Sequence, residues 1–240
     1  QRGAERAVTL PRALALLLLA LVSCRQATPA KAPDQVRPEL FLLTALPLVW
    51  SEQFGLEQPG SPALKALEEA YRVLPIDLPS EVPERGLLLA AQPRALPADE
   101  LVKLDQWVRR GGRLVLIADP LLEWASELPL GDPGRAPIAF PDTGLLQHWG
   151  LRLDAPDKRG PRQLALGGQR VLTGSPGTLV QQGRACAVAT DGLLAHCRLG
   201  KGRATIIADA DFLNIGAGGL DGPTEQNLPA LVSQVKLLSR

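Results

Sequence analysis

The chain has 240 residues, 45% of them hydrophobic and 21% charged, with 26 basic and 25 acidic side chains. These proportions are ordinary for one globular domain of generous size or two small ones, and make a sizeable core available. Setting aside Arg2, Arg6, Arg12 and Glu5 with the leader described next leaves 23 basic against 24 acidic residues, so the basic footprint that a phosphate backbone demands is missing and nucleic acid is excluded as a partner.

Residues 13–23, "ALALLLLALVS", form an apolar run of eleven, well short of the roughly 20 residues that span a bilayer. Arg12 stands before the run, small residues close it and Cys24 follows at once, so "LVSC" has the form of a bacterial lipobox. The pattern predicts a lipoprotein signal peptide over 1–23, cleavage before Cys24, and acylation of its thiol and freed amine. Two or more acyl chains would hold the protein stably on the periplasmic face of a bacterial membrane. The alternative is a plain secretory leader followed by a chance cysteine. After Cys24, "RQATPAKAPDQVRPE" is rich in Pro and Ala without apolar periodicity, and 24–38 therefore reads as a flexible tether to a single domain over 39–240.

From Glu39 the chain alternates strand and helix. "LFLLTALPLV" is a continuous apolar run suited to a strand buried on both faces. Ser61 can cap a helix with Pro62 in its first turn and Leu64, Leu67 and Tyr71 on one face. "RVLPIDL" and "GLLLAAQ" are the second and third strands. Pro97, Asp99 and Glu100 open a helix with Leu101, Leu104 and Val108 on its buried stripe; Arg109, Arg110 and Gly111 close it. "GRLVLIADP" is the fourth strand, and 86–118 is a βαβ unit whose strands should be parallel. Residues 120–142 form a long loop too polar and too rich in Pro and Gly to be core. "TGLLQHWG" is a short helix, and 163–199 holds Gly-punctuated β segments with a hairpin insertion. "GRATIIADADF" returns to the buried-strand pattern, and Asn227 should cap a closing helix with Leu231, Val235 and Leu238 on one face. The fold class is α/β, a parallel sheet with helices on both faces.

Cys186 and Cys197 flank Asp191-Gly192, a strong two-residue hairpin turn signal. With those two residues as the loop, 190 faces 193 and Cys186 faces Cys197. Counting outward makes this a hydrogen-bonded pair with a Cα separation of about 5.5 Å, within disulfide range. An oxidising periplasm would let the bridge form, and the third thiol is the one the lipid uses. Two buried free thiols are the alternative.

In open α/β sheets ligands sit at the carboxyl ends of the strands, where Trp50, Glu52, Asp119, Glu123, Trp124, Asp209 and Asp211 should gather. Aromatics beside carboxylates can bind a sugar or a peptide. Equally, Asp119 and Asp209 can cap the turns that follow them while the tryptophans pack the long loop. Three aspartates would suit Mg or Ca, but no liganding spacing supports a metal, and none is assigned. No Ser or Cys follows the fourth strand, no phosphate loop occurs, and His148 and His196 read as packed or surface residues. No cofactor is expected.

The stretches "LLTALPLVW", "LPADELVKLDQWVRRGGRLVLIADP" and "GKGRATIIADADFLN…NLPALVSQVKLL" resemble the GldG-like auxiliary proteins of ABC transport systems. The resemblance implies a flavodoxin-like fold of the class I glutamine-amidotransferase type without its catalytic triad. Those relatives place a cysteine nucleophile after a central strand, where this chain has Asp119-Pro120. Leader and resemblance together lead us to expect a non-catalytic, lipid-anchored periplasmic component, accessory or ligand-binding. Its partner would be a transporter permease or another envelope protein. Two rivals remain: an envelope glycan or peptide hydrolase using the strand-end acids, and a pure scaffold whose long loop docks a partner.

Overall fold

A computed structural model describes residues 37–52, 60–216 and 219–239. The leader, Cys24 and the tether as far as residue 36 lie outside the described residues. Five strands form the parallel part of the main sheet: β1 (Glu39–Thr44), β2 (Arg72–Pro75), β3 (Leu87–Ala91), β4 (Arg113–Ile117) and, late in the chain, β11 (Gly202–Ile207). In space they run β2-β1-β3-β4-β11, the doubly wound order expected of a flavodoxin-like sheet. Every residue of β3 and nearly every residue of β4 is buried, because helices cover both faces.

Local chemistry explains the helices. Ser61 accepts the Leu64 amide at 3.1 Å and starts α1 (Pro62–Ala70), whose Ala63, Leu64 and Leu67 are buried. The second helix, α2 (Ala98–Arg110), has Asp99 and Glu100 in its first turn and Arg109 and Arg110 in its last, matching the helix dipole. It ends at Gly111, with φ +125°, a conformation that L side chains rarely adopt. A short α3 (Leu145–His148) packs with α2 on one face of the sheet, while α1 and α4 (Asn227–Ser239) cover the other. Among the described residues no helix is long and apolar enough to cross a membrane.

The β segments expected over 163–199 begin earlier, at Leu151. They form three antiparallel pairings: β5 (Leu151–Asp154) with β8 (Thr178–Gln181), β6 (Pro161–Leu166) with β7 (Gln169–Gly174), and β9 (Cys186–Val188) with β10 (Leu194–Leu199). The last pair extends the main sheet, β10 lying antiparallel to β11, so the seven-stranded sheet is mixed at that edge. Leu166 and Val171 of the β6–β7 hairpin join the core beside Leu231 of α4.

Cys197 stands opposite Cys186, and the two are joined by a disulfide. The expected pairing parity is corrected. The Ala189 amide donates to Leu194 O at 2.7 Å and the Arg198 amide to Ala185 O at 2.8 Å, so the cysteines between them form a non-hydrogen-bonded pair with Cα atoms 3.9 Å apart. The reason is the turn: 190–193 form a four-residue loop closed by Ala189 and Leu194, with Gly192 at φ +74° and its amide donating to Ala189 O.

Asn227 is a second correction. It is the first residue of α4 rather than its cap, and its side chain is wholly buried. Its Oδ1 accepts the Leu172 amide at 3.0 Å, and its Nδ2 donates to Leu172 O at 2.8 Å and Phe212 O at 2.7 Å. The residue ties β7 to the turn beyond β11.

Candidate functional site: a buried knot of carboxylates

Strands β4 and β11 are parallel neighbours in the register Ile117↔Ile207. Two residues further on, both chains reach an aspartate at the same level, Asp119 and Asp209. Asp211 then opens a single 3-10 turn over Asp211–Leu213. One carboxylate oxygen from each of Asp119, Asp209 and Asp211 lies within 4.8 Å of the other two. The three residues are sealed from water, with 0%, 0% and 2% of their surface exposed.

Backbone amides hold most of the oxygens. Asp119 Oδ1 accepts the Leu121 amide at 2.7 Å and its Oδ2 the Ala210 amide at 2.9 Å. Asp211 accepts the Glu123 amide on both oxygens, at 3.0 and 3.1 Å. Asp209 Oδ1 accepts the Thr173 hydroxyl and, at 3.3 Å, the Phe212 amide. Asp209 Oδ2 is buried and has no hydrogen-bond partner among the described residues. The acids therefore do fasten the turns that follow them, as the capping alternative expects.

Burial and mutual repulsion set their titration. Burial pushes Asp119 up to about 6 against the pull of the amides of Ala210, Leu121 and Asp211, and the nearby Glu123 charge adds to the rise. Asp211 is pushed up to about 8 by burial and by Asp119. Asp209 is raised well above the ordinary value by burial, then by the charges of Asp119 and Asp211. Two full charges about 4.8 Å apart repel by roughly 3–4 kcal/mol at an effective dielectric near 20. Among the described residues no Lys, Arg or His pairs with any of the three; at the rim, Arg159 Nε lies 4.0 Å from Glu123 Oε1.

Three supporting residues escape sequence reasoning. Thr173 on β7 donates to Asp209 across 36 positions. Gln92 is buried at the end of β3 with φ +44°; its Oε1 accepts the Asp119 amide at 2.8 Å and its Nε2 donates to Asp119 O at 3.1 Å. A Cβ on Gly174 would sit 3.1 Å from Asp211 Oδ2 and 3.2 Å from Glu123 Oε2, which puts Glu123 at the mouth of the knot.

The remaining site candidates separate from the acids. Glu52 accepts the Ser126 hydroxyl at 2.8 Å and lines, with Trp124, Arg135 and Ala136, a small cavity of about 10 Å³. Trp124 packs partly buried against the core, whereas Trp50 is 81% exposed. A larger groove of about 540 Å³ lies far along the sheet, beside the disulfide and lined by Arg184, His196, Arg198 and Arg203. It touches none of the acids.

The fold and this site define a doubly wound α/β domain with buried carboxylates after its central strands. The chain belongs to the family of auxiliary components described as an ABC-type uncharacterized transport system, whose model matches residues 37–156. No curated protein matches the chain in sequence. Among solved structures, it is similar to the exo-β-1,4-mannosidase Op5Man5 from Opitutaceae bacterium strain TAV5, at 15% identity and a TM-score of 0.48 over 85% of this chain. It is also similar to the cytoplasmic protein STM3548 from Salmonella typhimurium, at 12% identity and a TM-score of 0.49, covering 84% of this chain and 98% of that one. The chain spans 36% of the mannosidase, about a third. Likeness of this grade says nothing about activity.

Proposed function

We propose that this auxiliary component is a lipid-anchored periplasmic protein without catalysis of its own, which works by binding a transporter subunit or a ligand of the system. One observation carries the non-catalytic reading. The position after β4, where the amidotransferase-type relatives place a nucleophile, holds Asp119-Pro120, and that carboxylate is sealed and engaged by backbone amides. A glycan hydrolase needs two carboxyls some 5–9.5 Å apart in an open cleft; here the acids lie within 4.8 Å of each other and meet no solvent. The disulfide between Cys186 and Cys197 supports an oxidising compartment, and "LVSC" with its apolar leader supports the anchor. Exposed Trp50, Leu130 and Ile138, in the segments that follow β1 and β4, support docking of a permease. A sugar or peptide ligand is the alternative occupant of that surface.

The test is expression of the tagged full chain in a bacterial host with labelled palmitate. The wild type should carry label and sediment with membranes, while Cys24→Ala should be unlabelled and soluble. Recovery of Cys24 unmodified on an intact, water-soluble chain overturns the anchor. Release of product from envelope glycan or peptide by the purified protein, lost in Asp119→Asn, overturns the non-catalytic reading.

A further inference from the structure

We propose that Asp119, Asp209 and Asp211 form a binding site for a hard divalent cation, Ca²⁺ ahead of Mg²⁺, with Glu123 at its entrance. The inference goes beyond the transport reading and is independent of the anchor. Three carboxylates converge within 4.8 Å, behind a surface that exposes at most 2% of any of them. Among the described residues no basic side chain pairs with them. An arrangement of this kind is strongly unfavourable unless something positive enters it.

Backbone donors already occupy most of the oxygens. Both oxygens of Asp119 and both of Asp211 accept backbone amides, as does Asp209 Oδ1. Donors aimed at five of the six oxygens favour the ionised form. Only Asp209 Oδ2 is left without a donor, and it is buried. A buried oxygen with no partner, beside two carboxylates that keep free lone pairs, is what a cation's ligand set offers once the ion is taken away. Oxygen-only donors select Ca²⁺ or Mg²⁺ over softer metals. Three oxygens no more than 4.8 Å from one another surround a point at most about 2.8 Å from each, so a closure of a few tenths of an ångström brings all three to the Ca²⁺–O range of about 2.3–2.6 Å. The amides of Leu121, Ala210, Glu123 and Phe212 and the Thr173 hydroxyl then act as the outer groups that orient the ligands. Glu123, with 35% of its side chain exposed, gives the ion a route from solvent and a fourth carboxylate on the way in.

The experiment uses the full chain, stripped with a chelator and desalted, with CaCl₂ and MgCl₂ added singly and read by thermal melting and calorimetric titration. The wild type should bind one equivalent, and its Tm should rise by about 5 °C or more once the cation reaches a hundred times its Kd. Asp209→Asn and Asp211→Asn should lose the response, each compared with its own stripped form so that a change in basal Tm does not enter. Glu123→Gln lies at the rim, so its folding is not at risk. It should weaken binding by about tenfold. A stripped wild type that shows neither heat nor a Tm shift with either salt at 10 mM, on the order of extracellular calcium-module affinities or weaker, overturns the proposal. An unchanged response in both aspartate variants does so as well, since the cation would then be bound elsewhere. Neither result bears on lipidation at Cys24.

Discussion

Acids in the stretches that carry the family resemblance behave in two opposite ways. Asp105 on α2 is half-buried and compensated: Arg109 Nε lies 2.8 and 3.0 Å from its two oxygens, and the Trp149 indole donates to Oδ1 at 2.8 Å. Burial works to raise it, but the Arg109 guanidinium and the Trp149 indole outweigh that and hold its carboxyl below the ordinary value of 3.8. The carboxylates after β4 and β11 are more deeply buried, have amides but no cation among the described residues, and are pushed upward. The same functional group is settled where a guanidinium and an indole stand beside it and unsettled where deeper burial meets only like charges. Burial alone does not decide the matter.

The most damaging way to break this comparison is to separate the two stretches where they meet. A Cβ on Gly202, at the start of β11, would lie 1.9 Å from Val108 O and 2.5 Å from Gly112 O, both backbone atoms at the end of α2. Gly202→Ala should cost about 3 kcal/mol or more in urea unfolding, because neither strand nor helix can retreat without disturbing the core. A loss under about 1 kcal/mol would show that the junction is looser than its geometry. Next comes the support of the acidic region. Asn227→Ala leaves Leu172 N–H, Leu172 O and Phe212 O unpaired in the core, a loss of about 2–4 kcal/mol measurable as a lower Tm.

The smallest change sharpens the contrast by removing the compensated charge. Asp105→Asn keeps an acceptor for Trp149 but gives up the ion pair with Arg109, and should cost about 1 kcal/mol at pH 7. The sign with pH follows from the lowered carboxyl. The folded state holds its charge to lower pH than the unfolded chain, so the advantage of the wild type is full well above 3.8 and fades as pH falls below it through the folded value. Stability curves of the two proteins should converge on the acid side. A gap that stays constant down to pH 2.5, roughly a unit below the ordinary carboxyl value, would mean that Asp105 acts by packing alone.

Much of this was open to reading in the sequence. Continuous apolar runs in β1, β3, β4 and β11 predict strands buried on both faces, and strands of that kind place their closing acids on one edge. The Asp191-Gly192 signal identified the partner of Cys186, yet missed the pairing parity, because a two-residue and a four-residue loop share one register and differ in which pairs exchange hydrogen bonds. Thr173 and Gln92 were out of reach for another reason. Each meets the acids through tertiary approach over dozens of positions, and a polar residue in a Gly-punctuated stretch carries no periodicity to mark its role. Asn227 looked like a helix cap because asparagine favours that position; the hairpin of β6 and β7, packed over the start of α4, claimed its amide instead.

The margins of the main sheet carry a consequence for the molecule among its neighbours. At one side β2 has four residues and ends in Pro75, which has no N–H to offer a newcomer; at the other, β9 has three and is stitched to β10. A further strand from another copy would find too few free rungs to grip. The main sheet is thus protected against fibre-like growth through its margins.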